Sequence, residues 1–238
     1  MTAAQKAELK EKGFCKLEKR FSDAEIDAAL ADIERLVAAQ KDNKWVHKAG
    51  TFAAHLSRQS DLLKKFVMDP RLVGHLTGPD GLIGPDVRLY WDQAVIKSGP
   101  EAEEFPWHQD NGYGETFPEE YYTTWVALCD VPAEKGAIWV VPGSHKKGGV
   151  THKQNAAGHW VGYEGKEGHV VPVKKGEALI FSSLTMHRSS SNTTPEKRSA
   201  YIIQYCDAKT VNGKTKESFT DRALLDVAKG GKCVAEKN

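Results

Sequence analysis

The chain has 238 residues, 40% of them hydrophobic and 27% charged, with 33 basic against 32 acidic side chains and a formal net charge of +1. That length carries one sizeable core, and the near-neutral balance excludes the electrostatic footprint of a nucleic-acid binder or of an anionic-membrane binder. No apolar run approaches the roughly eighteen residues that span a bilayer.

The opening MTAAQKAELKEKGF lacks the apolar centre of a secretory signal, and the final AEKN is neither a lipidation box nor a peroxisomal address. Cys15, Cys129, Cys206 and Cys233 form no CxxC pair. They are expected to be reduced, mostly buried thiols of a cytoplasmic protein.

Residues 22–41, SDAEIDAALADIERLVAAQK, open on a capping box of Ser22 and Glu25. Ile26, Leu30, Ile33 and Val37 then recur at helical spacing, which predicts an amphipathic helix. A second helix is expected over DLLKKFVMD (61–69), ended by Pro70. Helix is thereby concentrated in the first 80 or so residues.

The pattern then changes. VRLYWDQAVIK (87–97), YTTWVALCDV (122–131), AIWVVPG (137–143), HVVPV (169–173), EALIFSS (177–183) and RSAYIIQYC (198–206) are rich in β-branched and aromatic residues between Gly, Pro, Asp and Ser clusters. Short strands without long intervening helices argue for an antiparallel sandwich or jelly roll. The Gly-rich, polar stretch 146–168 is long for a compact domain, and such loops are commonly lids. DRALLDVAK (221–229) is expected to be a peripheral helix before a frayed end.

Within FPWHQDNGY, His108 and Asp110 are two apart, so in an extended segment their side chains point to the same side. His187 follows the strand EALIFSS. Two histidines and one carboxylate on one face leave coordination positions open, the arrangement expected of a non-haem Fe(II) oxygenase. Arg198, eleven residues after His187, heads an apolar strand. A guanidinium entering a sandwich interior needs an anionic partner, which a dicarboxylate cosubstrate would supply through a bidentate pair. Triad and arginine together point to iron plus a 2-oxo acid. A cupin-type metalloenzyme independent of 2-oxoglutarate would not need Arg198.

WHQD, the run TTWVALCDVPAEKGAIWVVPGSHKKG, and HRSSSNTTPEKR resemble the phytanoyl-CoA dioxygenase family over about residues 10–210. The resemblance implies a mainly β chain, a double-stranded β-helix (jelly roll, cupin-like) with flanking helices. It implies one oxygenase domain over 1–238: a helical N-terminal part at about 1–80, a jelly-roll core at about 85–210 and a lid at about 146–168. Fe(II) would be held by His108, Asp110 and His187, and 2-oxoglutarate gripped by Arg198.

By the same matching, Gln93, Trp125 and Ser189 would line the 2-oxoglutarate pocket, Gln93 being placed by counting back from Lys97. Read as residues alone, Ser189 is equally a polar loop side chain of RSSSN, and Trp125 is ordinary core packing, with Thr123, Ala127 and Cys129 on its face. PGSH (142–145) is a structural corner in the family, so His145 stays outside the iron set. His47, His55, His75, His152, His159 and His169 have no ligand spacing and are expected at the surface or in loops.

The implied activity is that of an Fe(II)- and 2-oxoglutarate-dependent dioxygenase, an oxidoreductase that uses O2 to hydroxylate or otherwise oxidise a C–H bond of a small-molecule metabolite, releasing succinate and CO2. Related halogenases carry Gly or Ala where this chain has Asp110, so oxygenation is favoured over halogenation. Trp91, Tyr113, Trp139, Trp160 and Tyr163 are candidate pocket walls suited to an apolar or ring-bearing substrate. Lys146, Lys147 and Lys153 are only a modest basic patch for an acyl-CoA. The competing reading is a non-catalytic jelly-roll protein that senses iron or 2-oxoglutarate. No nucleic-acid or membrane partner is expected, and the sequence sets no oligomeric state.

Overall fold

The computed structural model describes residues 1–42, 44–163, 165, 167–220, 222 and 224–234. Among the described residues the α-helices are α1 (Ala3–Lys12), α2 (Asp23–Ala39), α3 (Asp61–Met68) and α4 (Pro70–Val73), all before residue 80. In α2 the Ser22 hydroxyl accepts from the Glu25 amide and the Glu25 carboxylate accepts from the Ser22 amide, the reciprocal cap that the sequence predicts. Pro70 ends one helix and begins another: its missing N–H costs nothing at a first helical position, so α4 restarts on the Asp69 cap. The sequence reading missed α1, which carries a Thr2–Gln5 capping box and ends on Gly13 at φ 85°.

The strands are β1 (Phe14–Leu17), β2 (Lys44–His47), β3 (Gly50–Ala54), β4 (Val87–Lys97), β5 (Phe105–His108), β6 (Thr116–Phe117), β7 (Tyr122–Ala127) and β8 (Ile138–Val140). They continue with β9 (Lys153–Gln154), β10 (Trp160–Val161), β11 (His169–Val171), β12 (Ala178–Ser182) and β13 (His187–Ser189). The last four are β14 (Arg198–Asp207), β15 (Val211–Asn212), β16 (Leu225–Lys229) and β17 (Lys232–Cys233). The segment before residue 80 thus holds β1, β2 and β3 as well as helices.

The major sheet runs β1-β12-β7-β14-β4-β16-β17, and β3 also pairs with β4. The minor sheet runs β11-β8-β13-β5. All pairings are antiparallel, and the architecture is a mainly β jelly roll with flanking helices.

Alternation along β14 decides what lies on each face of the major sheet. Tyr201, Ile203 and Tyr205 point to the helix side, where they pack with Ile26, Ile33, Leu63 and Phe66. Arg198, Ile202 and Gln204 point the other way and line a cavity between the sheets. Beside that cavity Trp125, Ile138, Val140, Leu179, Phe181 and Ala200 form an inter-sheet core. Each large apolar side chain buried here contributes roughly 1.5–3 kcal/mol.

The expected helix at 221–229 is instead β16, with residues 221 and 223 outside the described set. Leu225 and Asp226 pair with Leu89 and Arg88, closing part of the free edge of β4, and Gly230 and Gly231 at φ 57° and 80° turn the chain into β17. Non-local edge pairing overrides the helical spacing of LLDVAK. The strand expected over 122–131 stops at Ala127, and Val131 makes only an isolated bridge to Val173. Among the described residues, no helix is long and apolar enough to cross a membrane.

Candidate active site

β5 ends on His108, and β13 begins on His187, its direct partner across the minor sheet. That register sets the two imidazole centroids 4.2 Å apart. His108 Nδ1 lies 2.8 Å from the Pro106 carbonyl and His187 Nδ1 lies 2.9 Å from the Thr185 carbonyl. A carbonyl only accepts, so both Nδ1 atoms carry the proton and both Nε2 atoms present lone pairs inward. The chain stays extended through Gln109, and Asp110 therefore turns to the same side as His108.

Asp110 Oδ1 is 3.6 Å from His108 Nε2 and 3.5 Å from His187 Nε2. One ligand-type atom from each of the three residues lies within 4.8 Å of the others, a set able to hold one metal ion. Asp110 Oδ2 is occupied: it accepts from Thr123 Oγ1 at 2.5 Å, and Thr123 Oγ1 accepts from Gln204 Nε2 at 3.3 Å. Burial alone would raise the Asp110 carboxyl, but His187, His108 and the Thr123 hydrogen bond hold it down to about 2. Burial, with His108 alongside, pushes His187 down to about 4 against the pull of Asp110. At neutral pH the centre therefore offers the Asp110 carboxylate and a neutral His187, with the Nε2 atoms of both histidines facing inward.

Arg198 lies at the head of β14, 1% exposed, with its guanidinium 5.5 Å over the Trp125 ring. Its Nε, Nη1 and Nη2 have no hydrogen-bond partner among the described residues. Burial lowers its pKa to about 10. An unpaired buried guanidinium is costly and fits a carboxylate. Lys97, in register with Arg198, is also buried, and its Nζ donates to the Glu103 and Ser190 carbonyls, both at 2.7 Å.

Gln93, Trp125, Ser189 and Arg198 all line the cavity of about 510 Å³ that also contains His108, Asp110 and His187. Gln93 sits opposite Ile202, and Trp125 is opposite Ile202 on its other side. Trp91, Tyr113 and Trp160 line the cavity as expected, and the Trp160 amide donates to the Tyr113 hydroxyl at 3.3 Å. Trp139 and Tyr163 do not. Trp139 packs under the Arg188 guanidinium at 4.8 Å, and Tyr163 packs against Trp107 at 5.8 Å.

His145 is apart from the three-donor set, its Nε2 3.2 Å from the Lys10 carbonyl. Three of the histidines read as surface or loop are buried: His55, His75 and His152. His47 and His159 line the cavity, their rings 5.6 Å apart. No spacing in the sequence could have found that pair, because β2 and the 153–161 hairpin meet only in space. Of the modest basic patch, Lys146 is paired with Glu11 at 2.7 Å.

The family model described as "Phytanoyl-CoA dioxygenase (PhyH)" matches residues 9–200. An ectoine dioxygenase of Bordetella parapertussis is 27% identical over 247 residues, covering 86% of this chain and 75% of that one. A probable alpha-ketoglutarate-dependent hypophosphite dioxygenase of Stutzerimonas stutzeri is 23% identical, covering 87% and 79% of the two chains. Among solved structures, the epimerase SnoN in complex with Fe3+, alpha ketoglutarate and nogalamycin RO superposes with a TM-score of 0.75 at 22% identity, covering 98% of this chain and 95% of that one. EctD from S. alaskensis in its apoform gives a TM-score of 0.75 at 20% identity, covering 100% and 88%.

Proposed function

The chain belongs to the phytanoyl-CoA dioxygenase family, and from that premise we propose that it is an iron(II)- and 2-oxoglutarate-dependent dioxygenase that oxidises a C–H bond of a small organic molecule. One observation carries the reading. The cavity that holds the His108–Asp110–His187 set also holds a buried arginine whose three nitrogens have no hydrogen-bond partner among the described residues. A metal site alone would not need that cation; a metal site that works with an anionic cosubstrate does.

With dioxygen, Fe(II) and 2-oxoglutarate supply the oxidation, in which 2-oxoglutarate becomes succinate and CO2 and one oxygen atom goes to the substrate. His108 and His187 hold the metal through Nε2, each oriented by the carbonyl that takes its Nδ1 proton. Asp110 offers Oδ1 while Thr123 holds Oδ2. Arg198 binds the far carboxylate of 2-oxoglutarate, its guanidinium lying 5.5 Å over the Trp125 ring, and Gln93 and Ser189 offer polar atoms to the same cavity. Asp110 also fills the position that a halide would need, so oxygen transfer is the expected outcome.

The remaining cavity wall is largely aromatic, with Trp91, Phe105, Tyr113 and Trp160. It suits a substrate with an apolar or ring-bearing body. A sensor of iron or 2-oxoglutarate would need only the three-donor set or the Arg198 end, so the further aromatic space favours the enzyme. Four free cysteines support a cytoplasmic setting.

The test is succinate formation from 2-oxoglutarate under Fe(II), with and without a panel of small ring-bearing substrates, followed by mass spectrometry with labelled dioxygen. Labelled product and stoichiometric succinate are expected. No succinate under any condition, with iron bound, would refute the reading.

A further inference from the structure

Gln109 lies between the two residues of the HxD pair, so its side chain points away from His108 and Asp110. It is 1% exposed and uses every polar atom of its amide. Its Oε1 accepts from the Val150 amide at 2.8 Å. Its Nε2 donates to the Gly148 carbonyl at 2.9 Å and to the Leu184 carbonyl at 2.7 Å. Its own backbone N–H donates to His152 Nε2 at 2.9 Å. His152 Nδ1 lies 2.9 Å from the Val150 carbonyl, which fixes the proton on Nδ1 and leaves Nε2 as the acceptor.

These bonds reach three places at once. One is the HxD segment itself. The second is Leu184, in the short link that leads into His187. The third is the root of the 146–168 segment.

The His152 ring is wedged between two glycines. A Cβ at Gly112 would sit 2.3 Å from it, and one at Gly162 would sit 2.6 Å from its Nε2. Neither glycine has a φ in the left-handed region, so close approach of the ring is what requires glycine at both. The Gly162 amide also donates to the Trp107 carbonyl at 3.0 Å. Farther along the same segment, Ala157, Gly158, His159 and Trp160 line the cavity.

We propose that Gln109 is a positioning residue, with His152 as its clasp, that locks the three metal-facing side chains and the root of the 146–168 segment into one unit. Movement of the cavity-lining part of the segment is thereby linked to the placement of His108, Asp110 and His187. The inference rests on the metal reading of those three residues. The chemistry of glutamine explains the choice: one neutral amide meets one N–H and two carbonyls, which neither a carboxylate nor an apolar side chain can do.

The test uses the full chain with Co(II) as the probe metal, reading its visible absorption and the amide hydrogen exchange of residues 148–162. In the wild type, Co(II) should slow exchange across 148–162. Gln109→Met should bind Co(II) more weakly, on the order of tenfold or more, and should lose the metal-dependent protection. His152→Gln, which restores an acceptor at the position of Nε2, should keep the protection that His152→Met loses. Unchanged affinity and protection in Gln109→Met would overturn the proposal, as would identical behaviour of the two His152 variants. If Gln109→Met does not fold, the His152 pair decides. If the wild type binds no Co(II), the metal reading falls, and metal-free exchange then decides the clasp. Equal exchange at 148–162 in wild type and His152→Met would overturn it.

Discussion

The Thr123 hydroxyl donates to Asp110 Oδ2 at 2.5 Å, and it is in turn the acceptor for Gln204 Nε2. Thr123 and Gln204 face each other across β7 and β14, so the major sheet reaches over and fixes a carboxylate in the turn that follows β5 of the minor one. The Asp110 carboxylate is thereby held with Oδ1 toward the histidines. Thr123→Val keeps the shape and removes the donor. Metal affinity should fall on the order of tenfold, with 2-oxoglutarate affinity at saturating metal nearly unchanged. Gln204→Leu should do less, since it acts only through Thr123. Co(II) titration of both variants checks the order; equal affinity in Thr123→Val and wild type would show that the hydroxyl does not hold the ligand.

His187→Ala should abolish tight binding of one Fe(II) per chain and turnover with it, because it removes one of three donors at a centre with no fourth candidate among the described residues. His145→Ala should leave metal affinity unchanged, since that ring meets the Lys10 carbonyl and the turn at Gly13. Anaerobic iron titration distinguishes them. Iron lost on His145→Ala and kept on His187→Ala would reverse the assignment.

Arg198 gives a prediction whose sign depends on ligand. Without 2-oxoglutarate its guanidinium is buried with no hydrogen-bond partner among the described residues, so Arg198→Met should melt at a higher temperature than the wild type. With saturating 2-oxoglutarate the order should reverse. Loss of one partner of a buried charge pair costs roughly 3–5 kcal/mol, so affinity for 2-oxoglutarate should fall by about two to four orders of magnitude. Iron binding should be largely spared. Thermal melts with and without the cosubstrate read both effects, and an unchanged 2-oxoglutarate affinity would remove Arg198 from this role.

The parts of the site that were legible in the sequence are those set by local spacing. His108 and Asp110 converge because two residues of extended chain always return a side chain to the same face. Arg198 was legible as a guanidinium heading an apolar strand, whereas Gln93 and Trp125, which line the same cavity, were reached only through the family resemblance, since a mid-strand Trp reads equally as core. What could not be read depends on partners distant in sequence. LLDVAK carries helical spacing, yet it becomes a strand because the edge of β4 at Leu89 and Arg88 is open to it. His152 has no motif, and its role follows from Gly112, Gly162 and Gln109, which meet it only in the fold. The α1 helix buries only Leu9, so apolar periodicity was silent there, although the Thr2–Gln5 box and Gly13 were local signals open to reading.

His75 should make the metal-free protein sensitive to mild acid. Its ring is buried at 7% exposure and Nε2 has no hydrogen-bond partner among the described residues. Burial first, and then the nearby amino terminus, Arg20 and Lys6, push its pKa from 6.5 down to about 3. The unfolded chain takes up a proton near pH 6.5, whereas the folded chain resists until about 3. Between those values the unfolded state binds more protons, so stability rises with pH through the window and is complete above its upper end. Lowering the pH from 6.5 to 5 should cost about 2 kcal/mol through this one group. Carboxylates that titrate lower down contribute to the same acid loss, so the wild type alone does not isolate the effect. His75→Gln removes the titration and keeps a polar side chain; His75→Leu removes both. In urea unfolding at pH 7 and pH 5, each variant should lose about 2 kcal/mol less than the wild type between the two pH values. Parallel losses in all three proteins would mean that the folded state accepts a proton at His75 as readily as the unfolded chain does.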